Sequence, residues 1–386
     1  MKQDIFNNSS QYSIEFWESA YTYAIEKVRD NISNFSDGYP APSSNNNVYP
    51  KIANIEWTSS FWNGMLWLSY LHTRDEVFRH AGEATLEDYA TRLQKRIETN
   101  THDLGFLYIL SAKAEYVVTH NASAKKTALL AADLLMERYH PKAGIIQAWG
   151  DLEDPNQRGR IIIDCLMNIP LLFWATEETK DPRYQEAALR HLARTRETLI
   201  RSDATTYHTY YFDTETGNPL RGVTAQGYSD DSCWSRGQAW GIYGLALAYT
   251  YTHDFGCLID AKRLADYFLS HLPSDDVCYW DLIFTDGDEE RDSSASAIAS
   301  CGLMLLASLL PEDDIDAVRY QNKALDMLAS LSKTYTTQDN PESNGILMHA
   351  VYGKPNNAGV DECVVWGDYF YMEALGTVLG STTRFW

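Results

Sequence analysis

The chain has 386 residues, 45% of them hydrophobic and 22% charged, with 22 Gly and 12 Pro, a composition that excludes a disordered or fibrous protein and supports a large shared core. Its 32 Lys and Arg stand against 53 Asp and Glu, a formal net charge of −21, with no basic block. That balance disfavours nucleic acid or an anionic membrane surface as partner, and an anionic substrate would need a few local cations to overcome the general field.

Taken in chain order, residues 1–10 are polar and carry no apolar run of about 7–15 residues that could serve as a signal segment, so a cytoplasmic location is expected. From residue 13 two kinds of helix-spaced segment recur. Amphipathic segments with one wet face fall at 13–28, 86–98, 124–138, 184–199, 259–271 and 318–331. Segments rich in Gly, Ala, Ser and aromatics, apolar nearly all round, fall at 61–71, 105–118, 165–175, 237–250, 295–310 and 367–379; such helices are buried on every side. The most apolar of these, near 294–310, falls short of the ~18–20 residues that cross a bilayer. Strand patterns are limited to short stretches at 207–213 and 279–284. Six alternating pairs close naturally into a two-layer toroid, so the expected fold is an all-α (α/α)6 barrel with minor β structure, one domain over residues 1–386.

Each apolar helix is preceded by residues of a different kind: Glu56-Trp57, Thr101-His102-Asp103, Ile163-Asp164, the run from Asp230 to Arg236, Arg291-Asp292-Ser293-Ser294, and Asp361-Glu362 with Trp366. If the inner helices are parallel, all six starts share one mouth. Helix capping, worth ~1 kcal/mol, suffices to explain Asp292 or Ser293. It explains Asp164 less well, because that carboxylate lies inside the run Ile161 to Met167, where burial is costly without a partner or a task. Asp103 and Asp164 facing each other would raise each other's proton affinity and hold a proton for general acid catalysis. Arg236 either grips a substrate carboxylate in two-pronged fashion or forms a structural salt bridge with Asp230 or Asp231. His102 and His208 lack metal-ligand spacing, and no cofactor or metal is expected. The six Cys have no paired spacing and read as buried small hydrophobes. The 11 Trp, 25 Tyr and 13 Phe suit either sugar-stacking platforms or an aromatic core.

Four blocks carry a further signal: Thr101-His102-Asp103-Leu104-Gly105-Phe106, residues 162–168, Trp234-Ser235-Arg236-Gly237-Gln238-Ala239-Trp240, and residues 366–375. With these, nearly the whole chain resembles the unsaturated glucuronyl hydrolases, glycoside hydrolase family 88. The resemblance implies an (α/α)6 barrel and an exo-acting enzyme that removes a 4,5-unsaturated glucuronic acid from the non-reducing end of glycosaminoglycan oligosaccharides made by polysaccharide lyases. It implies hydration of the C4=C5 enol ether in place of double displacement, with Asp164 as general acid and base and Asp103 as the second essential carboxyl. His102, His208, Gln226 and Arg236 would bind the uronate, and Trp57, Trp149 and Trp234 would wall the subsites. Relatives that favour sulfated chondroitin disaccharides show S-x-x-S-x-K where this chain reads Gly353-Lys354-Pro355-Asn356-Asn357-Ala358, which implies a reduced preference for sulfate, with Lys354 as the available substitute cation. An unsaturated rhamnogalacturonyl hydrolase and a noncatalytic carbohydrate-binding toroid are the competing readings. The expected partners are unsaturated glycosaminoglycan disaccharides, not nucleic acid or membrane, for a monomer or weak homo-oligomer.

Overall fold

A computed structural model describes residues 11–311 and 313–386; the polar segment 1–10 lies outside the described residues. The chain forms the (α/α)6 barrel. The inner ring consists of Ser59–Thr73, a broken helix over 104–119, a second broken helix over 165–179, then Ser235–Thr252, Ser293–Leu309 and Val365–Val378. Each packs on the next, and Val365–Val378 packs on Ser59–Thr73, which closes the ring. The outer layer is Ile14–Asn34, Leu86–Gln94 with Glu76–Glu83 before it, Ala122–Met136, Pro182–Thr198, Phe255–Ser270 and Ile315–Ser330. No described helix is long and apolar enough to cross a membrane.

The turn from an inner to an outer helix follows a local rule. Arg74, His120, Lys180 and His253 end four inner helices in the left-handed conformation, with φ of 59°, 60°, 63° and 54°, and a capping Asp75, Asn121, Asp181 or Asp254 follows at once. Each capping side chain accepts a backbone N–H of the new helix, worth about 1 kcal/mol. These turns are short, so the long connections gather at the opposite end, the end where the inner helices begin. Two inner helices are irregular: a π-helical turn, Ile109–Lys113, interrupts the expected 105–118 helix, and Pro170 restarts the helix after Cys165–Asn168.

Among the described residues the long connections carry four small antiparallel sheets: β1 (Tyr39–Pro40) with β2 (Lys51–Ile52), β3 (Tyr139–His140) with β4 (Ile145–Ile146), β5 (Arg160–Ile162) with β6 (Thr209–Phe212) and β7 (Pro219–Val223), and β8 (Ala350–Gly353) with β9 (Ala358–Glu362). The expected strand at 207–213 is β6. The stretch 279–284 forms no ladder, only isolated bridges from Tyr279 to Arg291 and from Asp281 to Trp234. The reason is the buried Asp281 carboxylate, which accepts from the N–H groups of Tyr228, Cys233 and Ile283 and from Ser232 Oγ, turning the chain where a strand would continue. All six cysteines are buried and free.

Candidate active site

Parallel inner helices put their first residues at one mouth, and a cavity of about 300 Å³ opens there. Asp103 and Asp164 occupy the positions just before two neighbouring inner helices, yet neither side chain caps its helix. Asp292, at the equivalent place, does cap, accepting from Ala295 N at 3.3 Å. The capping explanation therefore holds for Asp292 and fails for the two carboxylates on the cavity wall. Their close approach depends on Gly105: a Cβ there would lie 2.3 Å from Asn168 Cα and 2.4 Å from Asn168 O, so a glycine lets the two helix starts touch. Asn168 then serves both carboxylate segments, donating from Nδ2 to Asp103 Oδ1 at 3.4 Å and to the Asp164 carbonyl at 3.3 Å.

His102 lies behind this pair at 2% exposure and not on the cavity wall. Its Nε2 is 3.3 Å from Asp164 Oδ1 and 3.5 Å from Asp103 Oδ1. One ligating atom from each of the three residues lies within 4.8 Å of the others. Such a nitrogen and two oxygens are also a potential cation grouping; the distances from Nε2 are those of an ion pair and are longer than an aligned hydrogen bond. Burial raises the Asp103 pKa, and the Asp164 charge adds to it against the lowering effects of His102, Thr101 and Asn168. For His102, burial opposes protonation, but the two carboxylates outweigh it and the pKa is raised. His102 Nδ1 and Asp164 Oδ1 are buried with no aligned hydrogen-bond partner. Thr101 Oγ1 donates to Asp103 Oδ2 at 2.6 Å.

The walls are aromatic. Trp57 stacks on Trp366 at 5.1 Å and donates from Nε1 to Tyr352 Oη at 3.0 Å. Trp149 is held by an isolated bridge to Thr101, and its loop by Arg138, which donates to the carbonyls of Gln147 and Gly150. Trp234 has the His208 ring 4.8 Å away and the Arg236 guanidinium 4.5 Å above its face. His208 hydrogen-bonds Thr209 Oγ1 through Nδ1 at 2.6 Å. Burial, assisted by Arg236, pushes its pKa down to about 4, so it is a neutral imidazole at pH 7.

Arg236 is 1% exposed, and its salt-bridge partner is neither Asp230 nor Asp231 but Asp292, at 2.9 Å. Its Nη1 also donates to the Val351 carbonyl at 2.5 Å, and its Nη2 to Gln226 Oε1 at 2.9 Å and the Tyr352 carbonyl at 2.7 Å. All four terminal protons are thus engaged, and no free fork remains for a two-pronged grip. Arg236 instead orients Gln226, leaving that amide's NH2 as a donor. Trp57, Asp103, Trp149, Asp164, His208, Gln226, Trp234 and Arg236 all line the cavity. Tyr352, Trp240 and Asn356 join them; Trp240 and Asn356 lay inside singled-out segments without being assigned a role, while Tyr352 lies on the short strand β8, which no sequence pattern marked. Lys354 is paired with Glu290.

Residues 25–375 match the family model described as Glycosyl Hydrolase Family 88. The chain is 46% identical over 352 residues to an unsaturated chondroitin disaccharide hydrolase of Streptococcus pneumoniae, covering 91% of this chain and 89% of the relative. Among solved structures it is similar to an unsaturated glucuronyl hydrolase from Streptococcus agalactiae, with a TM-score of 0.95 and 42% identity over 100% of this chain and 97% of the other. An Asp→Asn variant of that enzyme complexed with dGlcA-GalNAc6S gives a TM-score of 0.88 at 40% identity, covering 100% and 97%.

Proposed function

The chain belongs to glycoside hydrolase family 88, and from that premise we propose that its cavity binds the non-reducing-end 4,5-unsaturated glucuronic acid of glycosaminoglycan oligosaccharides and releases it by hydrating the C4=C5 enol ether. The observation that carries this reading is the placing of the Asp103 and Asp164 carboxylates within 4.8 Å of each other at an aromatic-walled cavity. Asp164 gives a proton to C4 as the C4=C5 π bond breaks, water forms the new bond at C5, and the water's proton returns to the carboxylate. The hemiketal then opens and the glycosidic linkage falls apart. Positive charge develops at C5 and the ring oxygen on the way, and Asp103, held by Thr101 and Asn168, stabilises it. His102 sets the proton distribution between the two carboxylates. Gln226 and neutral His208 offer hydrogen bonds to the uronate, while Arg236 contributes fixed positive charge. Trp57, Trp149 and Trp234 supply flat apolar faces for the sugar rings.

Residues 1–386 act as one catalytic unit, a cytoplasmic monomer or weak homo-oligomer. Loss of the enol-ether absorbance on unsaturated hyaluronan, chondroitin, heparin and rhamnogalacturonan disaccharides tests the substrate class. Asp164→Asn should lower turnover by about 10²–10⁴-fold with saccharide binding retained; unchanged turnover would sink the mechanism.

Glu290 neutralises Lys354, and neither Ser nor a further Lys stands between 353 and 358. The 353–358 segment therefore offers no free cation to a sulfate on the leaving sugar, and the preference for sulfated over unsulfated chondroitin disaccharide should be weak. A strong preference for the sulfated substrate in kcat/KM would overturn that assignment.

A further inference from the structure

The three-stranded sheet beside the cavity carries an arrangement that this reaction does not use. Its register sets Arg160 of β5 opposite Tyr211 of β6, and Tyr211 opposite Arg221 of β7. Opposed residues share a face of a sheet, so the three form one row across it. The Arg160 guanidinium lies 4.6 Å from the Trp149 ring and 5.8 Å from the Tyr211 ring, and Arg221 lies 5.6 Å from that same tyrosine. Ile162, two residues beyond Arg160 and so on the same face, lines the catalytic cavity, as Trp149 does. The row leads outward from that cavity across two strand spacings, about 10 Å.

A groove of about 650 Å³ lies over the far end, with Tyr211, Arg221, Arg158 and Asn156 among its lining residues. Its acidic groups have partners of their own. Glu215 faces Lys142 and Arg158, each at 3.5 Å, and Asp213 accepts the amides of Glu215 at 2.8 Å and Thr216 at 3.1 Å. Arg221 is exposed and forms no ion pair among the described residues. In a chain of net charge −21, an uncompensated guanidinium over a tyrosine ring, at the exit of a sugar-sized cavity, favours an anion carried on a sugar.

We propose that this row extends the saccharide site: Tyr211 supports a downstream sugar ring, and Arg221 binds the carboxylate of the next uronic acid in a chain longer than a disaccharide. The inference rests on the reading of the cavity as the unsaturated-uronate site. Glycosaminoglycans alternate hexosamine and uronic acid, so the third sugar of a tetrasaccharide brings a carboxylate to the row, whereas a disaccharide ends before it. No bond is made or broken there; the row contributes affinity for longer substrates and nothing to the chemical step.

The test compares kcat/KM of the full-length enzyme on unsaturated, unsulfated chondroitin disaccharide and tetrasaccharide, for wild type, Arg221→Ala, Arg221→Glu and Arg221→Lys. Arg221→Ala should lower the tetrasaccharide value about fivefold to tenfold through KM and leave the disaccharide value unchanged. Arg221→Glu should lower it further, Arg221→Lys should restore part of it, and salt should erode the wild-type value. Equal responses of the two substrates, or no response of either, would overturn the extension. Wild type inert on the disaccharide strikes the reading of the cavity itself, an outcome that the Arg221 variants cannot mimic.

Discussion

His102, Asp103 and Asp164 form one cluster, since each lies within reach of the other two, and the proton affinity of Asp103 is set by its neighbours there. Thr101 is the cleanest handle on it. Its hydroxyl donates to Asp103 at 2.6 Å and lowers the carboxyl pKa. Removing that donor in Thr101→Val raises the proton affinity of Asp103, which must be ionised to stabilise the developing positive charge, so the acid limb of kcat/KM should move up by about one pH unit, read directly from a pH–rate profile; an acid-ward shift would contradict the assignment. Both carboxylates were legible in the sequence from two signals: a helix-start position, and, for Asp164, an apolar run that a capping role does not require. The partner of Arg236 was not legible. Asp292 lies 56 residues away, and nothing local shows which helix starts become neighbours once the ring closes. His102 was misplaced for a related reason: adjacent residues at a helix start point in different directions, and it faces the back of the carboxylates while Asp103 faces the cavity.

At the level of elements, periodicity marked all twelve principal helices because the inner set is apolar all round and the outer set is not. The π-turn at 109–113 was invisible, since it changes no residue pattern, whereas the break before Pro170 carried a signal in that proline which the periodicity alone passed over. The stretch 279–284 is rich in aromatic and branched apolar residues as a strand would be, but Asp281 gathers backbone donors and bends it. The Arg-Asp, His-Asn, Lys-Asp and His-Asp pairs at 74, 120, 180 and 253 were a readable sign of inner-to-outer turns, with left-handed φ at the first residue and a cap at the second. The contact between helix starts at Gly105 has a direct consequence for catalysis. Gly105→Ala would press a methyl group into the Asn168 backbone, costing roughly 1–3 kcal/mol and moving Asp103 away from Asp164. Turnover should fall at least about tenfold, given how steeply rates depend on ångström-scale placement, with a lowered Tm in calorimetry; wild-type kcat in a folded variant would show that the two starts do not need this contact.

Across the whole molecule, the ring closes where Val365–Val378 packs on Ser59–Thr73. Trp57 precedes the first inner helix, yet it stacks on Trp366 of the last and is hydrogen-bonded to Tyr352, 295 residues away. Both Trp57 and Tyr352 line the cavity. A sugar resting against both holds the beginning and the end of the toroid at once, so the ligand acts as a clasp on the join. Binding stabilises only the state that binds, which here is the state with the join shut. Saturating the Asp164→Asn protein with saccharide should therefore slow amide exchange in Ser59–Thr73 and Val365–Val378 more than in the outer helix Ile315–Ser330, and uniform slowing would show that the occupant does not grip the join.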